Sequence, residues 1–486
     1  MKVNRNFIFN IISIAIMIYG ISMVPSLVMA YRYNENELSS SMFIIVISCI
    51  TAGVLGYKYL SSRLTDVQTR IYYITTIITW VLLILLSTIP YLTCGRGYSF
   101  IDCLFESTAS WTTTGACAIA NSDLPLGLKL WRASCNWMGG IGIILLTLAF
   151  LPRMQFIGQR LASTEIRGPN FLMSTITFRK AYRRILMLYS ASTLLQYVLL
   201  RFAGMTRFMS LLTALSNTST SGLQHLNGGI IVALSAKIKI IITVFAFLSS
   251  LNVGFFIAAL AGKGRRLIKN SELNLYTVEL VLVTLLITVS TTITNGGGKV
   301  LSTLGNTLMQ VISFISTAGY IVAPCNEWNS FSISLVTIVV FIGACAISTG
   351  GGIKMSRAVY AIKTLSHNVY SLVHPHSIKT IYYNDEPARS EDITETKLYI
   401  SLFLLIYICG SMLLALDGYD VYSALNYSQA MLTNLGTPIL AQSGAVVSST
   451  NGFAKVVMSF LMICGRLEIY PVLMLFSVNL WTRKKK

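Results

Sequence analysis

Four short stretches decide how this chain folds: Thr112-Thr113-Thr114-Gly115, Thr218-Ser219-Thr220-Ser221-Gly222, Ser316-Thr317-Ala318-Gly319 and Thr433-Asn434-Leu435-Gly436. Each is a polar stop between apolar runs, and the copies recur roughly every hundred residues, as internal repeats do. Aligned on the glycines, further columns agree. A hydroxyl stands three residues before each glycine (Thr112, Ser219, Ser316, Thr433), and a small polar residue two before (Thr113, Thr220, Thr317, Asn434). Leucine stands eleven before (Leu104, Leu211, Leu308, Leu425). A residue suited to cap a helix stands sixteen before (Ser99, Thr206, Thr303, Asp420). Ser99 and Asp102 approximate a capping box, with Asp in place of Glu. Each copy therefore predicts a capped helix of about a dozen residues ending on a hydroxyl-rich turn. Agreement in several columns at once sets the pattern apart from chance among the many Ser, Thr and Leu.

The composition places these turns in a membrane. Hydrophobic residues make up 54% of the chain and charged residues 11%, against about a quarter charged in soluble proteins. Several apolar runs reach about 20 residues, enough to cross a hydrocarbon core of about 30 Å. The first, Phe7–Ala30, is too long for a typical signal peptide, although Val28-Met29-Ala30 has the form of a cleavage site; it reads as a membrane helix. Residues 1–69 thus hold two leading spans, Phe7–Ala30 and Met42–Leu60, and the repeats follow at 70–152, 180–262, 273–363 and 395–482. Each repeat predicts a spanning helix, the short helix with its turn, and an outgoing spanning helix. The outgoing four are Leu130–Leu151, Ile238–Ala261, Ile333 to Ile362 and Val456–Trp481. The expected fold is an all-α polytopic membrane protein with ten spanning helices and four half-helices.

The net charge of +19 sits in the segments between apolar runs, not in basic stretches interleaved with aromatics. That distribution follows the positive-inside rule and argues against nucleic acid as a partner. Every junction between repeats is basic and is assigned to the cytoplasm, which puts both termini inside and the four turns toward the outside. Lys129, Arg132, Lys237, Lys239 and Lys455 fall at outer helix ends and are expected to snorkel to the interface. Nine cysteines, scattered through apolar segments, read as buried free thiols, with a Cys94–Cys103 bridge as the alternative. No spacing suggests a metal site. His374 and His376, flanking Pro375 in a cytoplasmic loop, read as a docking surface or as nothing special. The chain has no GxxxxGK[ST] phosphate loop and no GxGxxG, so it should not bind nucleotide by itself. A membrane enzyme would need clustered His, Asp or Glu, and the intramembrane charges singled out are only Glu106, Arg466 and Glu468.

Irregular backbone at membrane depth is tolerated only where protein buries it or water reaches it. Four half-helices must therefore converge on a cavity, and four copies in one chain arrange naturally as a ring on one axis. The oxygens of Thr113, Thr114, Gly115, Thr220, Ser221, Gly222, Thr317, Ala318, Gly319, Asn434, Leu435 and Gly436 would then form a cage. Such a cage replaces the hydration shell of a monovalent cation. The glycines supply positive φ, and each short helix aims its partly negative C-terminal end at the cavity. The competing reading, glycines as helix-packing contacts, suits Gly139, Gly140 and Gly142 better. Ser348-Thr349-Gly350-Gly351-Gly352 interrupts the third outgoing helix and reads as a flexible plug below the ring, with a simple glycine kink as the alternative. Arg466, inside the last helix, either faces the path and repels cations or pairs with backbone carbonyls. Glu468, two residues on, does not share its face. Glu106 either anchors its short helix or adds negative potential near the ring.

These residues resemble the TrkH/KtrB superfamily of bacterial potassium uptake proteins, the TrkH branch in particular. The likeness runs nearly end to end. It is carried by Asp102-Cys103-Leu104-Phe105-Glu106-Ser107 leading to Thr112-Thr113-Thr114-Gly115-Ala116, then Leu124-Pro125, Trp131-Arg132 and Trp137-Met138-Gly139-Gly140-Ile141-Gly142. Ser348 to Lys354, Leu372-Val373-His374-Pro375 and Gly465-Arg466-Leu467-Glu468 match as well, and the two leading helices suit TrkH better than KtrB. The resemblance implies a homodimer in which each chain forms its own pore in the bilayer of the inner membrane. It also implies a cytosolic, nucleotide-binding ring protein of TrkA type as regulatory partner. One glycine per loop implies potassium as the transported ion, and no organic cofactor. It implies a gate at Ser348, Thr349, Gly350, Gly351 and Gly352, with Arg466 beside it. Ser221 stands where relatives often have a second glycine, and Thr437-Pro438 replaces a Pro-Gly pair. Two other transport readings remain open: a less selective monovalent cation channel, and a sodium- or proton-coupled potassium symporter. Coupling usually needs an ionisable site at the midplane, and no strong candidate stands beside the turns.

Overall fold

The computed structural model describes residues 5–59, 69–149 and 178–475, apart from 223, 227–228, 261, 263, 295–299, 324–327, 376–379, 385, 440–446 and 448–449. Most of the long loop between the first two repeats, residues 150–177, and His376 lie outside the described residues.

The leading runs form a helical hairpin, Arg5–Arg32 and Asn36–Tyr59, turned at Asn34 with φ 56°. The first helix of each repeat follows the expected order: Thr69–Leu92, Phe178–Phe202, Ser271–Thr294 and Ser390–Leu416. Among the described residues, six helices are long and apolar enough to cross a membrane, and they are the leading pair plus these four. Their outer faces carry exposed aliphatics such as Ile44, Leu194, Val289 and Leu405. Hydroxyl and amide side chains are buried inside instead, among them Ser107, Thr108, Gln196, Asn217, Gln310 and Ser313. That is apolar outward and polar inward, the arrangement a hydrocarbon solvent favours.

The short helices are Phe100–Trp111, Arg207–Thr218, Val300–Ile315 and Val421–Leu432. Ser99 caps the first, accepting the Asp102 N–H at 3.1 Å while its hydroxyl donates to the Asp102 carboxylate at 2.8 Å. Asp420 caps the fourth through the Ser423 N–H at 3.0 Å. Thr206 takes the N-cap position of the second without a side-chain bond. Thr303 is not a cap: the third helix starts a turn earlier, at Val300, and runs 16 residues.

The outgoing helices depart most from expectation. Only the first, Leu126–Ala149, is uninterrupted. The second bends by 90° between Ala236–Ser250 and Val253–Leu260. The third stops at Ile342, passes through an irregular segment over 343–354, and resumes as Met355–Val373. The fourth ends at Arg466 and restarts at Ile469, with Glu468 at φ 65°. Continuous outgoing spans were expected in repeats two and four. Hydropathy alone hides the breaks, because their few polar residues, Asn252 and Glu468, sit inside apolar windows.

Between the third and fourth repeats lies a two-stranded antiparallel hairpin, Tyr382–Tyr383 with Glu386–Pro387. The leading hairpin is tied to repeat one by Glu35, whose carboxylate accepts the N–H groups of Leu126 (2.6 Å) and Gly127 (3.0 Å) at a helix start. A carboxylate there satisfies orphan donors and meets the positive end of the helix dipole. Among the described residues, one large apolar core joins the leading hairpin to repeats one and four, and another joins repeats two and three with Ala430, Leu435 and Ile439 of repeat four. Cys94 and Cys103 are both free and buried, so the alternative of a bridge between them is not realised.

Helix packing in lipid depends on small residues that let backbones approach. A Cβ on Gly139 would overlap the Trp111 carbonyl oxygen, and one on Gly465 would overlap that of Leu432. Trp111 and Leu432 each stand four residues before their repeat glycine. Repeats one and four thus pack an outgoing glycine onto the end of the short helix in the same way. Gly139→Ala should cost about 1–3 kcal/mol by overpacking, read as a lowered melting temperature of the purified protein in detergent.

Candidate functional site: a ring of four helix-ending turns

The four turns meet. A Cβ on Gly115 would overlap the backbone of Gly222, one on Gly319 the Leu435 carbonyl, and one on Gly436 the Thr114 carbonyl. Gly222 closes the circuit, with its Cβ position 3.4 Å from the Ala318 oxygen and 3.5 Å from the Gly115 oxygen. The order around the ring is the order along the chain. The segments after the glycines are also stitched to their neighbours. Gln224 Nε2 donates to the Ala116 carbonyl at 3.0 Å. Ile231 N–H reaches Ile321 O, and Ile321 N–H reaches Gly229 O, both at 2.9 Å. Val447 N–H reaches Cys117 O at 2.7 Å, joining the fourth repeat to the first.

Each short helix ends the same way. Thr113, Thr220, Thr317 and Asn434 all take left-handed backbone, φ 52–58°. The next residue then donates its N–H five residues back in the 6→1 Schellman pattern: Thr114 to Ala109, Ser221 to Ser216, Ala318 to Ser313 and Leu435 to Ala430, at 2.9–3.0 Å. Glycine usually fills that left-handed position, and a β-branched residue there costs on the order of 1 kcal/mol or more. Two of the side chains gain contacts in return. Thr317 Oγ1 accepts the Gly351 N–H at 2.7 Å. Asn434 Nδ2 donates to Thr114 Oγ1 at 2.9 Å and to Met462 O at 3.0 Å. The repeat glycines themselves are left-handed at Gly115, Gly319 and Gly436 (φ 66–79°) but not at Gly222. The expectation of positive φ at all four glycines therefore holds at three.

Behind the ring, in the column nine residues before each glycine, repeats one and three support the outgoing backbone and repeat two bonds a side chain beyond its turn. Glu106 Oε1 accepts the Ile119 N–H at 2.8 Å. Gln310 Oε1 accepts Val322 N–H at 2.7 Å, while its Nε2 donates to Tyr320 O at 3.1 Å. Thr213 Oγ1 bonds His225 Nε2 at 2.8 Å. The fourth copy has Tyr427 in that column. Of the two roles left open for Glu106, the structure displays the anchor. Its carboxylate also faces Arg132 at 3.5 Å, and Arg132 donates to Asn121 Oδ1 at 2.8 Å. Arg132 is thus fully buried and does not snorkel, and buried Lys455 instead pairs with Asp102 at 2.6 Å.

The segment 343–354 lies against the ring. Besides the Gly351 bond to Thr317, Thr349 Oγ1 reaches Thr218 O at 3.3 Å and Ser249 O at 3.2 Å. A Cβ on Gly351 would overlap Thr433 O, and one on Gly350 would sit 2.8 Å from Ser316 O. Ser348 turns back on Cys345 O. Arg466 donates to Thr349 O (2.8 Å), Gly139 O (2.8 Å) and Gly140 O (3.1 Å). It pairs with backbone carbonyls, the second of the two readings. Glu468 pairs elsewhere, with Arg357 at 2.6 Å, and Arg357 lies 3.7 Å from the centre of the Tyr399 ring. Sequence reading missed Glu272, Asn252 and Glu279. Glu279 lies inside the apolar run 275–294, where a count of intramembrane charges finds it.

A helical polytopic membrane protein, built around one ring of main-chain turns, is the class that this fold and site define. The chain belongs to the TrkH family, described as cation transport protein, which it matches over residues 38–295 and 267–484. The Trk system potassium uptake protein TrkH of Halomonas elongata is 27% identical over 98% of this chain and 99% of its own length. The Trk system potassium uptake protein TrkG of Escherichia coli K12 is 28% identical, with 96% of each chain covered. Among solved structures, the potassium transporter TrkH from Vibrio parahaemolyticus superposes with a TM-score of 0.87 over 99% of this chain and 100% of its own, at 24% identity. That likeness establishes the shared fold.

The ring yields a paired prediction. Gly436→Ala forces both a left-handed alanine and a backbone overlap, so it should abolish ion flux and yield of folded protein together. Gly222→Ala meets only ordinary contacts, so it should fold with a melting temperature near wild type while changing the flux, both measured on purified protein.

Proposed function

We propose that the chain takes up potassium across the cytoplasmic membrane along the axis of the four turns. The observation that carries this reading is the closed circuit Gly115, Gly222, Gly319, Gly436. Main-chain oxygens of residues 113–115, 220–222, 317–319 and 434–436 serve as the cage that replaces the ion's hydration shell. None of these residues carries a formal charge, so a monovalent ion binds and still leaves. Membership of the TrkH family and relatives named as potassium uptake proteins support potassium as the cargo. The basic junctions support a cytoplasmic location for both termini.

In this reading Ser348, Thr349, Gly350, Gly351 and Gly352 form a gate below the cage. Arg466 acts as a tether through Thr349 O and the carbonyls of Gly139 and Gly140. The four repeats act as the domain units of the pore. A second copy of the chain and a cytosolic, nucleotide-binding ring protein of TrkA type are the proposed partners, and their support is the family resemblance. Purified protein in liposomes should pass potassium or rubidium at least about tenfold faster than sodium, a ratio corresponding to about 1.4 kcal/mol of selectivity; equal fluxes sink the potassium reading.

One observation favours proton coupling as a second reading. Both carboxylate oxygens of Glu279 are buried with no hydrogen-bond partner among the described residues. An ionisable group inside a span is by default a candidate for ion or proton relay. If coupling runs through it, Glu279→Gln should abolish potassium uptake driven by an imposed pH gradient while sparing flux down a potassium gradient. No dependence of wild-type flux on the pH gradient rules coupling out.

A further inference from the structure

The segment 343–354 is held at two ends by different means. Its second half rests on the ring, through Thr317 and Arg466. Its first half rests on the bend of the second outgoing helix. There Cys345 N–H reaches Ser250 O at 3.1 Å, and Val253 N–H reaches Ile347 O at 3.3 Å. One charged side chain joins this first half: Glu272, fully buried, accepts the Ala346 N–H on Oε1 at 2.5 Å. Its Oε2 accepts from Asn252 Nδ2 at 3.4 Å, and Asn252 Oδ1 accepts the Gly254 N–H at 2.8 Å inside the 90° bend. A single carboxylate therefore ties together the segment, the bent helix and its own helix.

Glu272 is itself firmly placed. It is the second residue of Ser271–Thr294, where the helix dipole favours a negative group. Its backbone N–H and that of Leu273 donate to Asn270 Oδ1 at 2.9 and 3.1 Å. The Ser271 N–H donates to Asn384 Oδ1, beside the short hairpin, at 2.6 Å. Among the described residues no cation lies within ion-pair distance of its carboxylate. The segment, by contrast, carries stored strain: Ile347, next to Ala346, is left-handed at φ 54°. A β-branched residue in that conformation persists only where its surroundings hold it.

We propose that Glu272 is a positioning residue that latches the first half of this segment against the bend of the second outgoing helix, and that the segment moves when the Glu272–Ala346 bond is released. The strain at Ile347 favours release, and the charge-assisted bond opposes it, which together make a two-position element. The proposal rests on the reading of 348–352 as the gate.

Cys345, buried within the segment itself, is a built-in reporter. The test uses the full chain, with maleimide alkylation read by peptide mass spectrometry and rubidium flux read in liposomes. Glu272→Gln keeps the shape but turns an amide N–H₂ toward one of two donors. Loss of a hydrogen bond to a charged group should speed Cys345 alkylation about tenfold or more, with Cys135 and Cys464 still protected. Basal rubidium flux should rise with the rubidium-to-sodium ratio unchanged. Glu272→Asp, which keeps the charge but withdraws it by one methylene, should have the same effect. Wild-type alkylation of Cys345 in both variants overturns the latch, as does parallel exposure of Cys135 and Cys464, which marks a general structural role. Faster alkylation of Cys345 without a change in flux upholds the latch and removes the gate reading instead.

Discussion

A helix that stops at membrane depth leaves its last carbonyls without water to receive them, and everything in this fold answers that constraint. Each short helix satisfies part of the deficit locally, by a left-handed residue and a bond that reaches five residues back. What remains is a set of main-chain oxygens at the end of four helix dipoles, gathered in one place. Left-handed Thr113, Thr220, Thr317 and Asn434 are costly choices for that cap. At two of the four the side chain accounts for the choice, since glycine could not bond Gly351 as Thr317 does or Met462 as Asn434 does.

The surroundings of the ring follow the same logic. Glu106, Thr213 and Gln310, in one repeat column, receive or meet the backbone and side chains that leave the turns. Breaks in the outgoing helices of repeats two, three and four free further backbone groups, which bond one another, the ring and a few long side chains. Arg466 and Glu272 are the clearest cases, a cation on carbonyls and an anion on N–H groups. Each satisfies one peptide group that no regular helix ladder reaches, Thr349 O for Arg466 and Ala346 N–H for Glu272.

Much of this was legible because it is periodic. The four turns, their spacing and the first helix of each repeat emerge from apolar length and from aligning glycines. The caps at Ser99 and Asp420 are local chemistry, so they are readable too. Thr303 misled because the alignment assumes equal helix lengths, and the third helix starts a turn early. Arg132 and Lys455 looked like snorkelling cations because their partners, Glu106 and Asp102, lie 26 and 353 residues away in the sequence. Asn252 and Glu468 gave no hydropathy signal, since one polar residue barely moves a window average. Glu279 is legible in the sequence as a lone carboxylate inside the apolar run 275–294.

The amino-acid sequence alone determined the class, the repeat and the residues of the turns, because lipid imposes length and polarity rules that act along the chain. Tertiary structure alone decided which repeat touches which, that Gly222 differs in backbone from its three counterparts, and that Glu272 meets Ala346. Those outcomes depend on groups far apart in the chain competing for the same unpaired peptide bonds, and no local pattern records who wins.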